Sequence, residues 1–121
     1  MMLDLSRDFQ IHLLAAINGG LINTTFEVLA ERLQAFERLY FEMDGSFVWT
    51  GATPRPWQLD GMVYDLGHQI QRIELKGQCP RAQWQMLLDS LSYPQQSLAA
   101  YDLLTAKFAS VEQLESSLWS S

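Results

Sequence analysis

The sequence predicts one α+β domain with two N-terminal helices, a four-stranded antiparallel meander, and two or three C-terminal helices. Three observations predict it. Apolar residues recur at helical spacing up to about Phe36, then alternate from Arg38 onward. Asp44-Gly45 sits between two alternating runs, a strong hairpin signal because both residues tolerate positive φ. After Gly77 the helical spacing returns, with Trp84, Leu87, Leu88 and Leu91 at i, i+3, i+4 and i+7.

Taken in order, Leu5, Phe9, Leu13 and Ile17 stand four residues apart, with Ile11 and Leu14 beside them. This spacing predicts a first amphipathic helix, capped by Asp4 or Ser6 and stopped by Gly19-Gly20. Thr24-Thr25-Phe26-Glu27 has the form of a capping box, with Thr24 as N-cap. The second helix then runs to about Phe36 and buries Phe26, Leu29, Leu33 and Phe36. Leu39, Phe41 and Met43 alternate with Tyr40 and Glu42, and Ser46–Thr50 is the return strand. Residues 51–56 contain two prolines that keep them out of any ladder. Trp57–Asp65 and Gln69–Gly77 complete the meander. Pro80 suits the first turn of a helix, which Tyr93-Pro94 ends. Residues 97–109 suit either a helix or a fifth strand. Ser110-Val111-Glu112-Gln113 is a second capping box and opens a short helix with Val111, Leu114 and Leu118 inward.

Alternation assigns the two faces of the sheet. Leu39, Phe41, Met43, Val48, Trp57, Leu59, Val63, Ile73 and Leu75 are expected under the helices. Tyr40, Glu42, Phe47, Trp49, Asp60, Met62, Tyr64, Arg72, Glu74 and Lys76 are expected on the other side, with Tyr40 facing Trp49 across the first hairpin. That mixture of rings and charges suits a groove, a dimer interface or a face covered by residues 97–121. Tyr40, Phe47, Trp49 and Tyr64 are its expected interaction residues.

Composition narrows the function. A chain of 121 residues fits one domain, and 48% hydrophobic content supplies an ordinary core. A formal charge of −6 argues against non-specific DNA binding, which needs a cationic stripe. Cys79 is the only cysteine, so neither an intramolecular disulfide nor a cysteine zinc site forms. The start MMLDLSRDF lacks a basic leader region, and no apolar run reaches the roughly 18 residues of a membrane helix. The expectation is a cytoplasmic protein with no membrane partner. His12 and His68 have no partner at useful spacing, and no glycine loop for phosphate is present.

The residues that carry chemistry lie in WQLDGMVYDLGHQIQRIELKG. Asp60 on one strand and Glu74 on the next can bind a divalent metal through hard oxygens. Lys76 can orient water or stabilise charge on a phosphate. All three share one side of the sheet by alternation. At LDG and ELKG the chain resembles the PD-(D/E)XK (restriction-endonuclease-like) nuclease superfamily. The resemblance implies a magnesium- or manganese-dependent phosphodiesterase, active or degenerate, and a nucleic-acid substrate. In it, Asp60, Glu74 and Lys76 would be catalytic, Asp60 and Glu74 would hold metal, and Glu27, Glu31 and Gln83 or Gln85 would support them. Leu59 stands where that family places proline, and its fourth strand is matched only by YDLLTAKF. The competing expectation is an ion-pair ladder on a non-catalytic dimeric binding module: an adaptor, chaperone or immunity-type protein. Its partner would be a second copy or another protein.

Overall fold

The computed structural model describes residues 4–16, 20–52 and 56–119. It corrects the expected architecture. The described residues form an eight-stranded antiparallel sheet and three helices, in place of a four-stranded meander behind two N-terminal helices. The strands are β1 (Phe9–Ala15), β2 (Ile22–Thr25), β3 (Leu39–Phe41), β4 (Ser46–Thr50), β5 (Gln58–Leu66), β6 (Gln69–Gly77), β7 (Leu98–Asp102) and β8 (Lys107–Ser110). The helices are α1 (Phe26–Gln34), α2 (Arg81–Ser90) and α3 (Val111–Leu118). The strand order is β3-β4-β5-β6-β1-β7-β8, and β2 pairs the N-terminal end of β6.

The first predicted helix is the strand β1. Phe9, Ile11 and Leu13 are buried and the residues between them are not, a period of 2. Phe9 and Leu13 are four residues apart, and four is close to one helical turn but also two steps of a strand. The flanking Ile11 is the residue that fits only alternation. β1 lies centrally, Ile11 opposite Leu75 on β6 and opposite Asp102 on β7. Ile17 and Gly19, the expected end and stop of that helix, lie outside the described residues, as do residues 53–55 of the expected loop.

The second predicted helix exists one residue later than expected. Thr25, not Thr24, is the N-cap, and its side chain accepts from the Val28 N–H. Thr24 is buried in β2. Nine residues are too few for a stable isolated helix. Packing holds α1 in place through Leu29 and Leu33, each fully buried and each worth roughly 1.5–3 kcal/mol. α2 buries Trp84, Leu87, Leu88 and Leu91 as its spacing requires, and Ser110 and Gln113 form the expected capping box on α3.

The first hairpin corrects the face assignment. The turn is three residues, Met43-Asp44-Gly45, closed by the Glu42 N–H on the Ser46 carbonyl at 2.8 Å. Gly45 has φ +97°, and a Cβ there would stand 2.4 Å from the Val63 carbonyl oxygen. A two-residue turn would pair Tyr40 with Trp49. The longer turn pairs Tyr40 with Val48 and Leu39 with Trp49. This one-residue difference turns every β4 side chain over. Phe47 and Trp49 point under the helices, each 2% exposed, whereas Val48 and Met43 face solvent.

A β-bulge at Gln71 makes a second shift. Tyr64 pairs with Arg72, but Asp65 pairs with Ile70, so Gln71 is the extra residue on β6. Ile70 and Ile73 are therefore both buried although three apart in sequence.

Residues 97–109 are not a helix: β7 and β8, joined by a turn at residues 103–106, form a hairpin on the far edge of the sheet. They extend the sheet rather than covering its open face. All three helices pack on one side. Phe36 stacks on Trp49, Phe9 meets Trp84 edge-on, and Trp84 donates to Glu115 of α3 at 2.9 Å. Among the described residues no helix is long and apolar enough to cross a membrane.

Cys79 is fully buried beneath this layer, and burial pushes its thiol up from 9.0 to about 12. The thiolate is the reactive form, so a disulfide reagent should label the native protein far more slowly than the denatured chain. The native thiol stays protonated where an unfolded one has ionised. Stability from this group should therefore be intact below about pH 9 and fall as pH rises towards 12. Thiol titration with and without denaturant checks the first expectation. A Cys79→Ser variant that keeps the same alkaline loss would contradict the second.

Candidate functional site

Because the helices share one side, no other described element covers the far side of the sheet, which is its open face. Register lines its residues up in rows. One row runs Met62, Glu74, His12, Tyr101, Phe108 across β5, β6, β1, β7 and β8. The next runs Tyr40, Val48, Asp60, Lys76, Gln10 across β3, β4, β5, β6 and β1.

Glu74 is the centre of the first row. Its Oε2 lies 3.1 Å from His12 Nε2 and 3.3 Å from Arg72 Nε. The Tyr64 hydroxyl donates to Oε1 at 3.3 Å, and the Arg72 guanidinium lies 3.9 Å over the Tyr64 ring. Each group is partly exposed, so the Arg72–Glu74 ion pair is worth under about 1 kcal/mol, and the cation–π contact adds a similar amount. What the network fixes is geometry: it links four side chains from three strands.

Asp60 and Lys76 stand directly opposite each other and are both exposed. Asp60 also accepts from Gln58 Nε2 at 2.8 Å. The structure therefore brings Asp60, Glu74 and Lys76 to one face. Asp60 and Glu74 are diagonal neighbours across β5 and β6, a placement that separates side chains by about 7–8 Å at their bases.

The residues do not fit a divalent metal. One ion needs both carboxylates within about 2–2.6 Å of itself. Glu74 is already in contact with the Arg72 guanidinium, the His12 imidazole and the Tyr64 hydroxyl, and an ion there would have to displace them. Among the described residues, no three His, Cys, Asp or Glu side chains are grouped to hold a metal. Glu27, Glu31, Gln83 and Gln85 belong to α1 and α2, on the other side of the sheet. Gln85 donates to Glu115 instead. None of the four is brought to Asp60 or Glu74.

Of the four expected interaction residues, Tyr40 and Tyr64 lie on the open face. Phe47 and Trp49 are core residues. His12, Leu14, Val48, Tyr101 and Phe108 are face residues that sequence reasoning missed. The alternation in Phe9-Gln10-Ile11-His12-Leu13 is the signal that places His12 there. His68 is exposed in the β5–β6 turn, where its backbone carbonyl accepts from Phe26 N–H. No protein-family model, curated protein or solved structure matches this chain.

Proposed function

We propose that the domain is a non-catalytic protein-binding module, and that its open sheet face receives a second copy of the chain. The observation that carries this is the state of Glu74. A carboxylate held by His12, Arg72 and Tyr64 is already engaged by three side chains, not a ligand waiting for a metal. Around it stand exposed Tyr40, Val48 and Phe108, with Met62, Leu14 and Tyr101 half-buried. Tyrosine, phenylalanine, methionine and arginine, all present on this face, are the residues enriched at protein interfaces.

Charge favours self-association over a nucleic acid. The chain carries −6, yet on this face Arg72 and Lys76 offset most of the charge of Glu42, Asp60 and Glu74. Two such faces meet with little net charge between them and with both signs available for cross-pairing, whereas a polyphosphate finds only two full cations among three carboxylates. The nuclease reading retains one supporting observation, the shared face of Asp60, Glu74 and Lys76.

Sedimentation equilibrium tests the proposal, run on the wild type and on a Tyr101→Glu/Phe108→Glu double variant. A dimer at micromolar concentration is expected for the wild type. The variant should be monomeric with an unchanged circular dichroism spectrum, since buried interfacial charge without a partner costs several kcal/mol. A wild type that stays monomeric to about 0.5 mM, where a micromolar dimer would be almost fully formed, would overturn the dimer. Magnesium or manganese binding at millimolar level, lost in Glu74→Gln, would restore the nuclease reading.

A further inference from the structure

We propose that a groove between α1 and the β3–β4 turn, in the helix layer away from the open sheet face, binds a basic peptide segment of a partner protein that carries an apolar anchor. The groove encloses about 380 Å³ and is lined by Phe26, Glu27, Ala30, Glu31, Gln34, Phe41 and Met43. Its floor is apolar. The Phe26 and Phe41 rings lie 5.9 Å apart at a tilt, and Ala30 leaves room above them. Met43, at the lip, is 95% exposed, the largest value among the exposed large hydrophobic residues. A thioether there can fold onto an incoming side chain of irregular shape.

The rim supplies the charge preference. Glu27 and Glu31 stand one helical turn apart on the same face of α1, and Gln34 continues the line over about 10 Å of helix. No basic side chain lines the groove. Arg32, the nearest cation in sequence, is turned away and donates to the Ser90 carbonyl at 2.7 Å. Neither Glu27 nor Glu31 has an ion-pair or hydrogen-bond partner among the described residues. Like charges at this spacing weaken a helix slightly, and a cation from outside would reverse that sign.

This chemistry selects the occupant. A metal ion prefers an oxygen-rich cage, and the floor here is two rings and a thioether. A nucleic acid is repelled by both carboxylates. A helical segment with Lys or Arg at i and i+4 and an aliphatic or aromatic residue between them matches the Glu27–Glu31 spacing and fills the floor.

The probe is a fluorophore-labelled synthetic helix of leucine and lysine with lysines at i, i+4 spacing, and a glutamate-for-lysine version as control. Anisotropy gives affinity, and amide shifts of the ¹⁵N-labelled protein give location. Shifts are expected at residues 26–34 and 41–45. Glu27→Lys/Glu31→Lys should weaken binding at least about tenfold, and Met43→Ser by a few-fold. Asp8→Lys/Glu112→Lys, the same change of net charge elsewhere on the surface, should alter it by less than about twofold. Equal losses in the two double variants would show attraction to an acidic protein in general and overturn the site. So would shifts spread over the surface, or no binding by a folded wild type at millimolar peptide.

Discussion

Replacing Trp49 by alanine is expected to destabilise the fold by about 3–5 kcal/mol, and replacing Tyr40 by alanine by under about 1 kcal/mol. The indole of Trp49 is 2% exposed. It stacks on Phe36 at 5.0 Å and meets Trp57 edge-on at 5.9 Å. Its Nε1 donates to the Glu37 carbonyl at 3.1 Å, tying β4 to the end of α1. Truncation removes the apolar area, leaves a void between helix and sheet, and strands that carbonyl. A domain of this size holds about 5–15 kcal/mol in total, so the loss could be most of its stability. Tyr40 is 62% exposed and leaves no cavity. Guanidinium melts followed by far-ultraviolet circular dichroism would compare the two. Equal small losses would mean that β4 faces the other way.

Gly61→Ala is expected to destabilise by about 1–3 kcal/mol. The sign is informative, because an unstrained Gly→Ala change stabilises by about 0.4–1 kcal/mol through the unfolded chain. Gly61 lies between Phe47 on β4 and Leu75 on β6. The Phe47 ring covers it so closely that an added Cβ would stand 2.1 Å from Cζ and 2.3 Å from Cε1. That ring is buried and stacked against Phe41, so it has no free space to enter. Combining Gly61→Ala with Phe47→Leu should cost less than the sum of the single changes, because the smaller side chain relieves the clash. Additive losses in a double-mutant cycle would count against this packing. The Asp-Gly pair that gives LDG its resemblance to a nuclease strand thus has a packing role of its own: glycine is where the Phe47 ring lies down.

Much of the outcome was legible in the sequence wherever a segment's own period settled it. Gln69–Gly77 is a strand, and the preceding strand begins one residue after its predicted start, at Gln58. The helical spacing of Trp84, Leu87, Leu88 and Leu91 set the buried face of α2, and Ser110 set the start of α3. Asp60, Glu74 and Lys76 fell on one side because alternation within each strand, read from the turn, carries that far. Tertiary structure alone decided three things. Phe9 and Leu13 sit at a spacing that serves both helix and strand, and pairing with β6 and β7 settled it. The faces of Phe47 and Trp49 depended on whether Met43 belonged to the turn, which the hydrogen bond between Glu42 and Ser46 decides. The character of Glu74 depended on His12, a residue from a strand near the other end of the chain. Local patterns report which way a side chain points relative to its neighbours in sequence. They carry no information about which distant strand will lie alongside, and that neighbour determines whether a carboxylate is free for a metal or already held.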